Sequence, residues 1–139
     1  MSGIPGVVLA VDVGTVRVGV AASDPRRILA SPVETVPAPG QARVAELAAE
    51  RDAVLVVVGL PTSLSGRSAS ASAEMARAWV AAFAPLVAPV PVQLVDERLT
   101  TVSATAALRA SGRSASKARA VIDQAAAVAL LQGYLDGRQ

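Results

Sequence analysis

Cysteine and histidine are both absent from this chain of 139 residues. Without cysteine the chain has no disulfides and no thiolate metal sites, and without histidine it lacks the commonest general base and the commonest transition-metal ligand. The side chains that remain for chemistry are carboxylates, hydroxyls, arginines and a single lysine, Lys117. Any catalytic site in this chain must therefore be built from these groups.

Long hydrophobic runs and aromatic residues are also scarce. Apolar stretches such as Ala53 to Leu60 are far shorter than the roughly 20 residues of a membrane-spanning helix, and the N-terminus lacks the layout of a signal peptide. We therefore expect a cytoplasmic protein without a membrane partner. One Trp, one Tyr and one Phe argue against a stacking platform for single-stranded nucleic acid.

The length and composition indicate a globular protein. A chain of 139 residues with 53% apolar and 17% charged residues suits one domain with a substantial core, so we expect a single domain over residues 1–139. The net charge is only +2, although the isoelectric point is about 9.9. This balance permits a nucleic-acid partner without requiring one.

The first third of the chain predicts three sequential antiparallel strands. Val7 to Val13 is almost wholly apolar and β-branched, which is typical of a strand buried on both faces. Arg17 to Ser23 predicts a second strand that forms a hairpin with the first at Gly14. A third strand is expected from about Leu29 to Val36, where Pro32 favours an edge position.

The remainder alternates helical and extended patterns. Further strands are predicted at Ala53 to Leu60 and Pro91 to Val95. Helices are predicted at Gln41 to Arg51, about Ser70 to Ala84 with a stop at Pro85, about Thr100 to Ala110, and Lys117 to Leu135. The order βββαβαβαα predicts an α/β fold with a mixed five-stranded sheet covered by helices. The small polar run at 61–70 is interpreted either as a plain loop or as a flap on the substrate side of the sheet.

The acidic residues divide into two groups. Most fall in loops or on polar helix faces, where a solvated carboxylate costs little. These are Asp24, Glu46, Glu50, Asp52, Glu74 and Asp136, among others. In contrast, Asp12 interrupts a buried strand, the pair Asp96 and Glu97 ends another, and Asp123 stands within an apolar helix. A carboxylate in apolar surroundings needs a compensating partner.

A divalent cation is one such partner. Mg²⁺ and Mn²⁺ prefer oxygen ligands, and a pair of these ions about 3.5–4 Å apart can promote hydrolysis of a phosphodiester without histidine. In a fold of helices on a sheet, the three acids can converge on one spot. The alternative is that they form buried salt bridges with Arg17, Arg98 or Arg119.

Four blocks of this sequence, in order, resemble the YqgF family. They are Val11 to Ala21 (VDVGTVRVGVA), Val57 to Pro61 (VVGLP), Asp96 to Thr101 (DERLTT) and Ile122 to Ala127 (IDQAAA). Members of that family are Holliday-junction resolvase-like proteins, also described as nucleases that mature the 5′ end of the small-subunit rRNA precursor. The resemblance covers nearly the whole chain, although the Ser-rich segment at 62–72 departs from the family's usual Asn or acidic loop.

The resemblance implies a ribonuclease H-like fold, a bound Mg²⁺ or Mn²⁺ and hydrolysis of phosphodiester bonds. By position, it implies that Asp12, Glu97 and Asp123 are both the catalytic residues and the metal ligands, and that Arg98 contacts phosphate. We expect cleavage of an rRNA precursor in ribosome biogenesis, with the ribosome as a further partner. Cleavage of branched DNA is the alternative enzymatic reading, since the same carboxylates serve both substrates.

Two other classes of function fit part of the sequence. The segment from Asp12 to Thr15 also matches the phosphate loop of actin-like ATPases and sugar kinases, but those enzymes clamp ATP between two such domains. A non-catalytic nucleic-acid or ribosome-associated module would retain the fold without needing a cluster of buried acids. The sequence by itself excludes neither class.

Basic residues flank two of the three acids. The candidate substrate-binding residues are Arg98, Arg109, Arg113, Lys117 and Arg119. Contacts of such side chains with phosphates position a substrate and make binding depend on salt concentration. The alternative is a solvated helix surface. The chain is expected to be a monomer or a homodimer, and resolution of a two-fold junction would require the dimer.

Overall fold

The computed structural model describes residues 6–60, 67–96 and 115–137. Its strands are β1 (Val7–Val13), β2 (Arg17–Ser23), β3 (Ala30–Pro37), β4 (Ala53–Leu60) and β5 (Val92–Asp96). Its helices are α1 (Gln41–Glu50), α2 (Arg67–Val87) and the final helix, here named α3 (Ala115–Gly137). The predicted helix at Thr100 to Ala110 lies outside the described residues.

The hairpin of β1 and β2 confirms the turn predicted at Gly14. The two strands are antiparallel, and their last pair before the turn is Val13 with Val18. A Cβ atom at Gly14 would lie 2.5 Å from the carbonyl oxygen of Arg17, which is closer than real Cβ atoms come. Only glycine therefore allows the chain to close this turn.

The five strands form one mixed sheet in the order β3-β2-β1-β4-β5. β2 runs antiparallel to β1 and β3, whereas β1, β4 and β5 are parallel. This arrangement confirms the three antiparallel strands followed by parallel additions. β3 is an edge strand as predicted, and Pro32 pairs with Ala21 directly after an irregularity in the register.

Helices cover both faces of the sheet. Leu9 and Val11 of β1 pack with α1 and α2 in a cluster that includes Trp79 and Phe83. Val8 and Ala10 point to the other face and pack against α3. All four of these β1 residues are fully buried, which confirms a strand covered on both sides.

The main error in the predicted elements concerns α2. It was expected to begin at about Ser70 and to stop before Pro85, but it spans Arg67–Val87 with Pro85 inside. Because Pro85 lies in the last turn, few helical hydrogen bonds remain to be lost beyond it. The helix ends before Ala88, which precedes Pro89 and is thereby disfavoured from helical geometry.

No helix in the described ranges is long and apolar enough to cross a membrane.

Candidate functional site

Asp12 lies at the carboxyl edge of the parallel strands. It is the penultimate residue of β1, and the parallel neighbours β4 and β5 end at the same edge with Leu60 paired to Asp96. The carboxyl ends of strands in open α/β sheets are where ligands bind, because the chain leaves the sheet there in loops. The fold thus brings Asp12 and the last residues of β5 to the same end of the sheet.

The neighbours of Asp12 within the sheet are glycines. Asp12 pairs with Gly19 on β2. On its other side, Val11 pairs with Val58, so Gly59 follows next to Asp12 on β4. Neither glycine carries a side chain, so no side chain flanks the half-buried Asp12 at the neighbouring positions of β2 and β4. Glycine within a strand often marks the close approach of a ligand or of another backbone.

The same row of residues continues to the edge strand and to α3. Gly19 pairs with Thr35 on β3, so Asp12, Gly19 and Thr35 lie side by side across three strands. The side-chain amide of Gln124 donates a hydrogen bond of 2.9 Å from Nε2 to the Oγ1 of Thr35. This contact shows that α3 crosses the row of Asp12 at residue 124.

The backbone of residue 123 belongs to α3. It precedes Gln124 directly, and it lies one turn before Ala127 and two turns before Leu130. Both of these residues are buried against the sheet. Residues four and seven apart share one side of a helix, so the backbone at 123 lies on the side that covers Asp12.

The predicted site residues can therefore be placed in part. Asp12 and the backbone position of Asp123 lie at the same end of the sheet, on the same face. Glu97 lies outside the described residues and follows β5 in the chain. Within residues 6–60, 67–96 and 115–137 no group of three acidic side chains forms a metal cluster, and Asp12 is the predicted ligand whose side chain is described there.

Of the predicted substrate-binding residues, three lie outside the described part of the chain. These are Arg98, Arg109 and Arg113. Lys117 and Arg119 lie in the first turns of α3, which begins at the same end of the sheet as Asp12. Of the Ser-rich segment at 62–72, residues 62–66 lie outside the described residues, and the remainder from Arg67 onward is the beginning of α2 rather than a loop.

The carboxylates with described pKa shifts are Asp24 and Glu34. Asp24, at the opposite edge, accepts backbone hydrogen bonds from Leu29, Ile28 and Arg26, which together hold its pKa below the ordinary value. Hydrogen bonds from Arg43 lower the pKa of Glu34 in the same way. These acids are tied into local structure.

Sequence reasoning missed three residues of this site. Gly59 and Thr35 join the row of Asp12 only through strand register, and Gln124 meets Thr35 only through helix packing. A signal for Gly59 was present, because glycine inside a strand often marks the close approach of a ligand or of another backbone. Gln124 stands in the block Ile122 to Ala127 of the family resemblance, but nothing in the sequence indicated its contact with Thr35, since polar residues at both positions are equally typical of exposed surfaces.

A family model matches almost the whole chain. It is the model of the Holliday junction resolvase family RuvX, and it matches residues 6–137. Curated relatives agree with it. A provisionally named pre-16S rRNA nuclease from Mycobacterium tuberculosis (strain ATCC 25618 / H37Rv) is 56% identical over 137 residues, which covers 94% of this chain and 78% of that protein. Another from Rhodococcus opacus (strain B4) is 52% identical over 138 residues, covering 94% and 77%.

Solved structures show the same fold. Thermus thermophilus RuvC in complex with a Holliday junction substrate aligns with a TM-score of 0.56 and 19% identity over 96% of this chain and 95% of the other. A second Thermus thermophilus RuvC structure aligns with a TM-score of 0.55 and 16% identity, covering 95% of each chain. RuvC has the ribonuclease H-like fold that the sequence predicted. With the family model spanning the sheet and α3, the chain belongs to the Holliday junction resolvase family RuvX and is a nuclease of the ribonuclease H-like fold.

Proposed function

We propose that this chain hydrolyses phosphodiester bonds of the small-subunit rRNA precursor, with Mg²⁺ or Mn²⁺ held by Asp12, Glu97 and Asp123. The names of the relatives, which describe pre-16S rRNA nucleases, support the substrate. In this proposal the chain works in the cytoplasm as a single domain, as a monomer or homodimer, on RNA that is being assembled into ribosomes.

The observation that carries the proposal is the setting of Asp12. Its carboxylate is half-buried at the carboxyl edge of β1, with glycines beside it on both neighbouring strands. The backbone at 123 lies on the side of α3 that covers the same face. A carboxylate in this place, beside two glycines and under α3, is suited to hold a cation.

The donor chemistry at this edge fits a hard divalent cation. The Asp12 carboxylate supplies oxygen, and Mg²⁺ and Mn²⁺ take oxygen ligands. The other two proposed ligands also carry carboxylates, so all three would share one kind of donor. A bound Mg²⁺ or Mn²⁺ would supply a Lewis acid that stabilises negative charge developing at the scissile phosphate.

The chain's own residues would bind and orient the substrate. The three carboxylates would hold the ion, and the absence of side chains at Gly19 and Gly59 would leave room for the phosphate beside Asp12. Lys117 and Arg119, at the beginning of α3, would contact phosphates on either side of the bond to be cut. Contacts of this kind position a backbone without reading its bases, so substrate choice would depend on RNA shape.

The test is a cleavage assay with two substrates. Purified protein with Mn²⁺ or Mg²⁺ is incubated with a small-subunit rRNA precursor fragment and, separately, with a four-way DNA junction, and Asp12→Asn is the control variant. The proposal expects metal-dependent cleavage of the RNA that the variant lacks. Cleavage of the junction alone would replace the RNA by branched DNA as the substrate. Binding of RNA without cleavage of either would contradict the proposal and favour a non-catalytic module.

A further inference from the structure

We propose that the hydrogen bond between Gln124 and Thr35 is a positioning device, which fixes the place of Asp123 over the row of Asp12 and so sets the metal affinity of the site. The inference rests on the proposed function. It assigns a role to two residues that are not among the proposed metal ligands or phosphate contacts.

The contact joins elements that are far apart in the chain. Gln124 and Thr35 are 89 residues apart, and the distance between Nε2 and Oγ1 is 2.9 Å. Thr35 belongs to the same row as Asp12, through Gly19. Gln124 adjoins Asp123. The hydrogen bond therefore links the strand row of one proposed ligand to the helix position of another.

The packing of α3 explains why this end needs such a contact. Towards its C-terminal end the helix buries Ala127, Leu130, Leu131 and Leu135 in the core. Residues 124–126, which are nearer to Asp12, are only half-buried. Apolar packing is not directional, so it resists separation of a helix from a sheet better than it resists sliding. A hydrogen bond has a preferred distance and angle. At this end of α3 it can therefore hold the helix against sliding along the sheet.

The far end of α3 offers an internal comparison. Gln132 contacts the same edge strand, where its Oε1 accepts a hydrogen bond of 2.9 Å from the backbone N–H of Ala30. Its Nε2 donates to the carbonyl oxygen of Ile28, also at 2.9 Å. This second glutamine holds α3 at the edge opposite Asp12, next to leucines that are already buried. It should contribute to stability without affecting the metal site.

The experiment compares the two glutamines by the same substitution. Gln124→Met and Gln132→Met keep a long unbranched side chain and remove its hydrogen bonds. Mn²⁺ affinity is measured by calorimetry and by the rise of Tm with Mn²⁺ concentration. We expect Gln124→Met to lose roughly 10–100-fold in Mn²⁺ affinity, as is typical when residues that orient metal ligands are changed. We expect Gln132→Met to lower the Tm of the metal-free protein and to leave the affinity unchanged.

Variants of Thr35 provide the rescue and the test of coupling. Thr35→Ser keeps the hydroxyl and should retain the affinity, whereas Thr35→Val should lose as much as Gln124→Met. Both changes remove the hydrogen bond between Gln124 and Thr35, so their losses of Mn²⁺ affinity should overlap rather than multiply in the double variant Thr35→Val with Gln124→Met.

Three results would overturn the inference. They are wild-type affinity in Gln124→Met, an equal loss in Gln132→Met, or losses of Thr35→Val and Gln124→Met that multiply. Each of these leaves the proposed nuclease site intact, because the wild-type protein still binds Mn²⁺. If neither Mn²⁺ nor Mg²⁺ raises the Tm of the wild-type protein, the proposed metal site is contradicted. The role of Gln124 in that site is then contradicted as well.

Discussion

Asp12 and Asp24 lie at opposite edges of the same sheet, and the residues around them differ. The carboxylate of Asp24 accepts backbone hydrogen bonds through both oxygens, with Oδ1 2.8 Å from the amide nitrogens of Ile28 and Leu29 and Oδ2 3.1 Å from that of Arg26. It thereby builds its own turn. Asp12 has glycines on both adjacent strands, and a helix covers its face of the sheet.

The opposite edge is closed by hydrogen bonds within the protein. The hydroxyl of Ser23 is buried there, accepting a hydrogen bond from the N–H of Val8 and donating to the carbonyl of Asp24. Gln132 joins the end of α3 to the same region. Asp24 therefore serves the fold through nearby backbone amides, whereas Asp12 lies beside glycines at the carboxyl end of β1, where ligands of open α/β sheets bind.

The largest expected effect is a loss of cleavage activity in Asp12→Asn that Asp24→Asn does not show. Asp12→Asn keeps the shape of the side chain and removes its charge, so we expect activity to fall by more than the roughly 10²–10³-fold of one lost electrostatic contact, because metal binding is damaged as well. Metal-free stability should stay level or rise, since close like charges are relieved. Cleavage rates and melting curves with and without Mn²⁺ check both.

A salt-bridge role for Asp12 predicts the reverse. In that case Asp12→Asn would melt earlier and Mn²⁺ would not raise the Tm of the wild-type protein. The same measurements on Asp123→Asn should follow those on Asp12→Asn. A marked loss of metal-free stability in both variants, with no effect of metal, would rule out the assignment of these acids to a nuclease site.

The next effect concerns the affinity for nucleic acid. Replacing Arg109, Arg113, Lys117 and Arg119 with Ala should weaken binding to all sequences alike and flatten the dependence of affinity on salt by about one unit of slope per lost phosphate contact. Titrations at several salt concentrations measure the slope. The matched control is Arg26→Ala, because Arg26 is exposed in the turn at the opposite edge. If only the control changes the slope, the nucleic-acid face lies at the edge of Asp24.

A smaller effect is expected from Asp24→Asn, which should lower stability and not activity. Asn has one acceptor oxygen where Asp24 uses two. Because the native hydrogen bonds lower the pKa of Asp24, they add stability above its ordinary pKa of 3.8, and this stability is lost as pH falls through the native value. The difference in Tm between Asp24→Asn and the wild-type protein should therefore be larger at pH 7 than in acid. Loss of metal-dependent cleavage at unchanged Tm would reverse the roles of the two aspartates.

The smallest effect is expected on the face of the sheet opposite α3, where Arg43 joins α1 to β3. Its Nη2 lies 2.8 Å from Oε1 of Glu34, and both side chains are more than a third exposed. Glu34→Gln should therefore cost less than about 1 kcal/mol at pH 7. The lowered pKa of Glu34 means that this contribution is present above its ordinary pKa of 4.5 and lost as pH falls below it.

Unfolding by urea at pH 7 and in acid measures this difference. Glu50→Gln is the control, because Glu50 contacts Arg43 at 3.4 Å and is more exposed. It should cost less than Glu34→Gln. An equal cost for both variants at every pH would show that the contact between Glu34 and Arg43 contributes nothing specific.

Local patterns in the sequence were enough to predict most of the fold. The apolar β-branched runs gave β1 and β4 with their observed bounds, and Gly14 gave the turn. Element ends were less accurate. β3 and β5 each begin and end one residue later than predicted, and α2 continues past Pro85. These limits depend on neighbouring strands and on packing, which a single segment does not contain.

The sequence by itself determined the chemistry available to this protein and the element that carries each acid. With neither Cys nor His, it restricted the side-chain ligands of a metal site to oxygen donors, and its apolar β-branched run put Asp12 in a buried strand. Only the tertiary structure decided which residues lie beside that acid. Gly59 comes next to Asp12 through the register of two parallel strands, and Gln124 reaches Thr35 across 89 residues of chain. The physical reason is that register and helix placement are set by the joint packing of distant segments, so no local pattern encodes them.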